Sequence, residues 1–366
     1  MVCFIGKTHH ALIGIIFTSL SFLFVNSALF ASYEPDCYSV ERERNATIRI
    51  LSLDGGAVRG IIPATILARL CQEAGLEVSD MFHVVGGSSA GGMIGTCLTI
   101  PKNPEDDRSE WMPLYTAQDC VDMFFTEREN ILKKRWFPIG SLYDVCCLED
   151  LTMRLYGDTS FDQTLIPTAA LTYDYIHAKA KVLKSWDKEV FYTRDAVLST
   201  TAVPLCFHPR FLSPINAKTS SKAPTHLLGD GGILANDPTA YIIKAARDLY
   251  PHAKNFEVVS IGTGFIKESS ISNLMRSALG IMGLNTQLAD FYFRDQSKTV
   301  ENYIDMLFPG HYTRLNFELP YAHASFNDTS ESNVRYLHQA ANHYVDTHPH
   351  LIRKLAERLK LSKDRV

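Results

Sequence analysis

The sequence predicts an α/β fold with a mainly parallel central sheet flanked by helices. Apolar runs of strand length recur along the chain, several of them end in glycine-rich turns, and segments with helical spacing follow directly. With 366 residues, of which 46% are apolar and 21% charged, the chain is long enough to bury the core that such a sheet requires.

The N-terminal residues have the layout of a secretory signal peptide. Lys7 precedes a nearly uncharged apolar run from Ala11 to Val25, which is followed by small residues at Ser27 and Ala31. The run is short for a spanning helix, which needs about 20 apolar residues, although an uncleaved membrane anchor is the alternative. We therefore expect a signal peptide over residues 1–31, with cleavage after Ser27 or Ala31, and a secreted or otherwise exported protein.

Two strand-turn-helix units open the main part of the chain. Ile48 to Leu53 is a predicted strand, and the helix that follows has Pro63 in its first turn and Gly75 at its end. The second unit has a short strand from Phe82 to Val85, a glycine-rich turn, and a helix from Met93 to Leu98. Strand, turn and helix in succession are typical of a parallel sheet.

The later part of the chain continues the same pattern with weaker signals. Further strands are predicted from Ala169 to Tyr175, at Leu227-Leu228, and from Phe256 to Ile261, each closed by turn residues. Pro238 marks the first turn of another helix, and a Lys- and Arg-rich amphipathic helix is predicted from Leu351 to Leu361.

Composition and cysteine spacing argue against several classes of function. The net charge is −4 and no long basic run occurs, so we expect no nucleic-acid partner. The eight cysteines include no Cys-x-x-Cys pair, and no residue spacing indicates a metal-ligand cluster. We therefore expect no metal and no organic cofactor.

Gly87-x-Ser89-x-Gly91 lies between a predicted strand and a predicted helix, the setting in which a serine nucleophile is held on a sharp turn. Small neighbours are needed because a side chain there would clash with the backbone and block an acyl group. Ser88 does not fit the same frame, because Ala90 stands where glycine is required. Ser89 is the candidate nucleophile, and a turn that binds nothing is the alternative.

A second glycine-rich turn, Asp54 to Gly60, is predicted to supply an oxyanion hole. Successive backbone N–H groups after a strand can point into one concavity, so Gly55, Gly56 and Ala57 are the candidate donors. The Cβ of Ala57 excludes left-handed backbone conformations that glycine allows at low cost, which favours the two glycines. A dinucleotide-binding turn is the rival interpretation, but it requires glycine at position 57. Arg59 is a candidate contact for a lipid phosphate, or else the partner of a carboxylate.

Asp230-Gly231-Gly232 follows a predicted strand and supplies a candidate general base. An ordinary Asp-Gly turn would have the same sequence. Taken together, the oxyanion donors, the nucleophile Ser89 and the base Asp230 each end a strand. That is where ligands bind in open parallel sheets.

With these residues the chain resembles the patatin-like phospholipases. Ser52 to Gly60 is similar to the family's Asp-Gly-Gly-Gly-x-Arg/Lys-Gly loop, except that Ala57 replaces the third glycine. Gly87 to Gly92 is similar to its Gly-Thr-Ser-Thr-Gly-Gly turn. Downstream, three further stretches resemble family motifs in the same order: Ser199 to Pro204, Asp230 to Pro238, and Ser260 to Gly264.

The resemblance implies a lipid acyl hydrolase of phospholipase A or lysophospholipase type, working through a Ser89–Asp230 dyad and an acyl-enzyme. It implies a catalytic domain over residues 48–315, an N-terminal extension over 32–47, and a C-terminal helical region over 316–366 packed on that domain. The substrate would be a phospholipid, lysolipid, galactolipid or glyceride, with transient membrane-surface contact. An apolar stretch from Leu274 to Phe293 could supply that contact or could be a core helix.

Two other functions stay open. A Ser-His-Asp esterase of the α/β-hydrolase type would need a histidine after the serine, and His208, His226 and His311 are candidates. A non-catalytic lipid-binding or storage protein would show no turnover of a simple ester.

Overall fold

The computed structural model describes residues 37–136, 140–216, 225–266 and 284–360, without the side chains of residues 37–39, 284–295 and 321. The predicted signal peptide and the side chains of the apolar stretch from Leu274 to Phe293 lie outside these ranges. Export therefore stays a prediction. None of the helices in the described ranges has both the length and the apolar character to cross a membrane.

A mainly parallel sheet forms the centre of the molecule, as predicted. Its strands are β1 (Thr47–Leu53), β2 (Val84–Ser88), β3 (Thr168–Asp174), β4 (Lys179–Lys184), β5 (Arg210–Leu212), β6 (His226–Asp230), β7 (Asn255–Ile261) and, after the two-residue strand β8 (Phe265–Ile266), β9 (Tyr312–Leu315). The spatial order is β5-β6-β3-β2-β1-β7-β9, and β4 pairs with β3. The pairs β3-β2, β2-β1, β1-β7 and β7-β9 are parallel. A separate parallel pair joins β8 to β10 (Glu318–Leu319).

Helices lie on both faces of this sheet. They are α1 (Cys37–Asn45), α2 (Ile61–Ala74), α3 (Val78–Met81), α4 (Ala90–Cys97), α5 (Ala117–Thr126), α6 (Arg128–Ile131), α7 (Val145–Tyr156), α8 (Thr193–Thr200), α9 (Thr239–Leu249), α10 (Leu284–Leu307), α11 (Glu331–Thr347) and α12 (Pro349–Lys360). Helices α11 and α12 both contact α2.

The two faces of β1 bury different cores because successive side chains of a strand point in opposite directions. Leu51 and Leu53 belong to the larger cluster, which includes α2, α5, α11 and α12. Ile48 and Ile50 belong to a second cluster with residues of α9 and α10. Burial of both faces explains why β1 has apolar residues on each face and does not simply alternate apolar and polar residues.

Candidate active site

Strands β2 and β6 meet end to end along one edge of β3. Ser88 of β2 pairs with Leu171, and Asp230 of β6 pairs with Thr172, the next residue of β3. Because β6 runs antiparallel to β3 whereas β2 runs parallel to it, the carboxyl ends of β2 and β6 converge. Asp230 ends a strand, as expected, and because that strand is antiparallel it approaches Ser89 from the opposite direction.

Ser89 occupies a sharp turn between β2 and α4. Its backbone has φ 52° and ψ −124°, a conformation that L-residues rarely adopt, and its side chain is nearly buried. A Cβ on Gly87 would lie 2.2 Å from the carbonyl carbon of Gly91, and a Cβ on Gly91 would lie 2.2 Å from the carbonyl oxygen of Leu53. The turn therefore requires glycine at both positions, which is the steric reason predicted from the sequence.

Thr200, the last residue of α8, links this turn to β3. Its Oγ1 accepts a hydrogen bond of 3.0 Å from the N–H of Ser89 and donates one of 2.6 Å to the carbonyl of Leu171. Both bonds are buried, so the hydroxyl fixes the backbone of residue 89 relative to the sheet. The sequence motif from Ser199 to Pro204 contains Thr200 but does not reveal this contact.

Asp230 is buried and only partly satisfied by hydrogen bonds. Its Oδ1 accepts the N–H of Gly232 at 2.7 Å, whereas Oδ2 has no hydrogen-bond partner in the part of the chain that the structure describes. Burial raises the pKa of Asp230 to about 7, and the Ser89 hydroxyl and the Gly232 N–H oppose that rise. Ser89 and Asp230 line the same cavity, and in the described ranges no hydrogen bond joins the Ser89 hydroxyl to Oδ2. Such bonds often tighten only when substrate binds.

Gly55 does not take the role expected of it. Its N–H donates to the carbonyl of Asn236 at 3.0 Å. Its carbonyl accepts from Asn236 Nδ2 at 3.1 Å and from Thr263 Oγ1 at 2.8 Å. These bonds use Gly55 to anchor the loop, so the expectation that its N–H serves an oxyanion is wrong in this arrangement.

Gly56 and Ala57 remain as candidate oxyanion donors. Both line the same cavity as Ser89, and in the described ranges no acceptor meets either N–H. The expectation that the Cβ of Ala57 excludes a left-handed backbone is wrong, because Ala57 has φ 48°. This backbone conformation of Ala57 costs about 1–2 kcal/mol. Neighbouring hydrogen bonds stabilise it, including one of 3.2 Å from the N–H of Val58 to the carbonyl of Phe326.

A buried arginine lies behind the loop. Arg314 of β9 forms a bidentate pair with Asp54, with N···O distances of 2.8 and 2.5 Å, and its Nη1 lies 3.5 Å from Asp237. Burial raises the pKa of Asp54 to about 7 and by itself lowers that of Arg314. The two carboxylates outweigh this and hold the pKa of Arg314 well above its ordinary value. The bidentate geometry is that of an ionised pair.

Arg59 is buried and lines the cavity. Its Nη1 donates to the carbonyl of Ala324 at 3.0 Å. This contact matches neither of the two predicted roles, so contact with a lipid phosphate stays a prediction.

One cavity of about 250 Å³ brings the candidate residues together. Ser89, Asp230, Gly56 and Ala57 all line it, and apolar side chains form much of the remaining wall: Leu142, Val203, Pro204, Leu205, Ile233 and Phe326. An apolar chamber with a few convergent polar groups suits a ligand that has a hydrocarbon chain and one reactive polar bond.

The histidines of the triad alternative lie elsewhere. None of His208, His226 and His311 lines the cavity. His226 contacts Asp174 and Glu189, at 3.1 and 3.2 Å. Among the described residues, the cavity thus contains a serine and a carboxylate but no histidine.

Asp174, His177 and His226 form a cluster that sequence spacing does not reveal. Asp174 Oδ2 lies 2.8 Å from His177 Nδ1 and 3.1 Å from His226 Nδ1, so the three side chains could share a cation. The spacing of these residues along the chain gave no sign of the cluster, and the expectation that the protein uses no metal stays a prediction. Lys181 Nζ lies 3.2 Å from His226 Nε2. The positive charge of this lysine would repel a metal ion bound close to His226. None of the three residues lines the cavity.

The sheet order, the strained serine turn and the glycine-rich loop define an α/β protein with a serine held at a strand–helix turn. The family model described as Patatin-like phospholipase matches residues 51–243, more than half of the chain. The chain therefore belongs to the patatin-like phospholipase family.

Plant proteins from the same family are similar over most of the chain. Patatin-like protein 4 of Arabidopsis thaliana is 27% identical, covering 82% of this chain and 84% of the relative. Patatin-like protein 2 of the same plant is 28% identical, covering 74% of each chain. Patatin group M-2 of Solanum tuberosum is 26% identical, covering 88% of this chain and 89% of the relative. At family level these similarities support a lipid acyl hydrolase.

Proposed function

We propose that the protein hydrolyses fatty-acyl esters of lipids, as a phospholipase A or lysophospholipase, with Ser89 as nucleophile and Asp230 as general base. The observation that carries the proposal is the convergence of β2 and β6, which brings a strained serine and a buried carboxylate into one apolar cavity. Family membership supports the lipid substrate. Export through the predicted signal peptide is part of the same proposal.

Acylation follows from the positions of these groups. Asp230 accepts the hydroxyl proton of Ser89 as Oγ attacks the ester carbonyl carbon. The N–H groups of Gly56 and Ala57 donate to the oxyanion of the tetrahedral intermediate. When the intermediate collapses, the carbon–oxygen bond to the alcohol breaks, and the alcohol leaves with the proton held by Asp230.

Deacylation repeats the sequence with water. Asp230 takes a proton from water as its oxygen attacks the acyl-enzyme, the N–H groups again hold the oxyanion, and the proton returns to Ser89 Oγ when the fatty acid leaves. The same carboxylate acts as base and then as acid in each half. A pKa near 7 suits both directions of proton transfer at neutral pH.

A panel of lipids tests the proposal. Purified protein is assayed on a phospholipid, a lysophospholipid, a galactolipid and a glyceride, beside folded Ser89→Ala protein. We expect release of fatty acid from at least one of these lipids and none above background from the variant. Absence of release by the unaltered protein, on these lipids and on a soluble chromogenic ester, would favour a non-catalytic lipid-binding protein.

The pH profile should report the ionisation of Asp230. The base acts only as a carboxylate, and burial raises its pKa to about 7. We therefore expect kcat/KM for a neutral ester to rise with pH and to level off above about 7. Circular dichroism over the same range is needed, because the pKa of Asp54 is also raised. A flat profile from pH 5 to 8, with the fold intact, would argue against Asp230 as the base.

Thr200→Val should lower kcat while leaving KM nearly unchanged. The substitution removes the bond that positions the backbone of Ser89, and displacement of a nucleophile can cost about 10²-fold in rate. Thr201→Val is the matched control, because the Thr201 hydroxyl bonds only to carbonyls of its own helix. Thr200→Ser should restore much of the rate. Equal losses in the two valine variants would contradict a positioning role for Thr200.

Removal of divalent metal should leave hydrolysis unchanged. The proposed chemistry uses only side chains and backbone N–H groups, and the Asp174–His177–His226 cluster does not line the cavity. We expect equal initial rates with and without chelator, and in His177→Ala protein. If chelator abolishes the activity and added metal restores it, a metal takes part and the mechanism above is incomplete.

A further inference from the structure

Exposed apolar side chains surround one side of the cavity. Leu142 and Leu205 line the cavity and are nevertheless 48% and 76% exposed. The two residues are neighbours, since the N–H of Leu142 donates to the carbonyl of Leu205 at 2.9 Å. Trp136 is fully exposed and adjoins them, because the N–H of Arg135 donates to the carbonyl of Leu142 at 3.2 Å. Three apolar side chains therefore face solvent on adjacent backbone segments.

The backbone of Leu205 is held in a costly conformation. Its φ of 69° lies in the left-handed region, which costs a residue with a Cβ about 1–2 kcal/mol. Two hydrogen bonds fix this conformation. The N–H of Leu142 donates to the carbonyl of Leu205, and the N–H of Tyr143 donates to the carbonyl of Cys206 at 3.2 Å. Neither the strain nor the exposure of this leucine helps the chain to fold. Strain of this kind indicates a functional role for the residue.

A basic run precedes the tryptophan. Lys133, Lys134 and Arg135 are all exposed, and Arg135 also donates to Ser141 Oγ at 3.2 Å. Within the described ranges, neither lysine forms a salt bridge. The acidic residue that adjoins this segment, Asp144, uses its carboxylate to cap α7. Two exposed lysines without a salt bridge thus precede an exposed indole ring in the chain.

We propose that this docking rim, Lys133–Trp136 with Leu142 and Leu205, binds the surface of an anionic phospholipid bilayer. The proposal rests on the proposed function, because the rim opens into the cavity that contains Ser89. A tryptophan beside lysines is the combination expected at a bilayer interface, where the indole lies at headgroup level and the ammonium groups meet lipid phosphates. Each basic residue close to such a surface contributes about 1 kcal/mol of binding.

The location of the rim favours a bilayer over a protein partner. A protein seated on Leu142 and Leu205 would cover the cavity that those residues line, whereas a bilayer presents lipid at the same place. An acyl chain leaving the bilayer could then move along apolar side chains from Leu205 to Val203 and reach Ser89 without crossing water. The exposed leucines therefore have a use only when a lipid lies against them.

Vesicle flotation with Ser89→Ala protein tests docking apart from catalysis. Vesicles of phosphatidylcholine are compared with vesicles that also contain phosphatidylglycerol. We expect binding to the anionic vesicles, weakened about fivefold or more by Lys134→Glu and by Trp136→Ala. Lys254→Glu makes the same charge change at the amino end of β7, and Tyr303→Ala removes an exposed ring from α10. Neither control should weaken binding.

The outcomes separate docking from hydrolysis. Turnover of a short-chain, water-soluble ester should be the same in Lys134→Glu, Trp136→Ala and unaltered protein, while release of fatty acid from anionic vesicles falls in both variants. Failure of the soluble assay in unaltered protein would count against the proposed hydrolase and leave the flotation result standing. Absence of binding, or losses in the controls equal to those in the rim variants, would overturn the docking rim.

Discussion

Ser89→Ala and Asp230→Asn should each lower turnover of a lipid ester by about 10³-fold or more, with the fold intact. The reason is that the two side chains act as one unit: without the hydroxyl there is no nucleophile, and without the carboxylate nothing in the cavity takes its proton. The double variant should lose little more than either single variant, because residues of one catalytic unit are not additive. Initial rates on a chromogenic ester measure all three.

Histidine variants provide the comparison. His226→Ala and His208→Ala should retain most of the activity, since neither side chain lines the cavity. The stability of the Asp230→Asn variant supplies a second control, because it shows whether the variant is folded. Burial raises the pKa of Asp230, so the stability of the unaltered protein falls as pH rises through about 7, whereas an asparagine cannot ionise. Asp230→Asn should therefore be at least as stable at pH 8. If folded Asp230→Asn keeps its rate, or a histidine variant loses it, the triad replaces the dyad.

Arg314→Met should lower the free energy of unfolding by about 3–5 kcal/mol, the largest loss of stability that we expect from a single substitution here. The change leaves Asp54 and Asp237 buried without their shared cation. Because Asp54 is the first residue of the proposed oxyanion loop, activity on a soluble ester should fall as well. Chemical denaturation gives the first quantity, and rates at a temperature where the variant is folded give the second.

Arg335→Met is the matched control for this prediction. Arg335 of α11 pairs with Glu331 one helical turn away, and both side chains are exposed. Removing such a pair should change stability by less than about 0.5 kcal/mol. Similar losses for the two methionine variants would mean that the buried pair adds no more than a surface pair does.

Most of the fold was predictable because local patterns determine it. The strands β1 and β7 are short segments rich in Ile, Leu, Val and Phe, and Gly75 ends α2 with φ 66°, as its position at the end of the helical pattern indicates. The strand β4 was not predicted, since half of its residues are lysines that lie on an edge of the sheet. The antiparallel direction of β6 could not be predicted from the local sequence either, because a strand of five residues has the same sequence whichever way it pairs.

The candidate site likewise contains residues that the sequence predicts and residues that only the structure reveals. The glycines around Ser89 are required by close contacts between neighbouring segments, so a motif in the sequence marks them. In the other glycine-rich loop, the sequence does not distinguish Gly55 from Gly56, yet Gly55 anchors the loop and Gly56 lines the cavity. Only the position of Asn236, far along the chain, distinguishes them. The roles of Arg314 and Thr200 were not predicted, because their contacts with Asp54 and Ser89 join residues that are far apart in the chain.

The position of Arg314 has a consequence for the order in which the protein matures during synthesis. The ribosome releases the serine turn and the loop at Asp54 long before β9, and chains begin to fold from the N-terminal side as they emerge. Until residue 314 has appeared, Asp54 lacks the cation that holds it at the start of the loop. A nascent chain that already contains Ser89 and Asp230 therefore still lacks the bidentate partner of Asp54, and the proposed oxyanion loop is not yet fixed at its first residue.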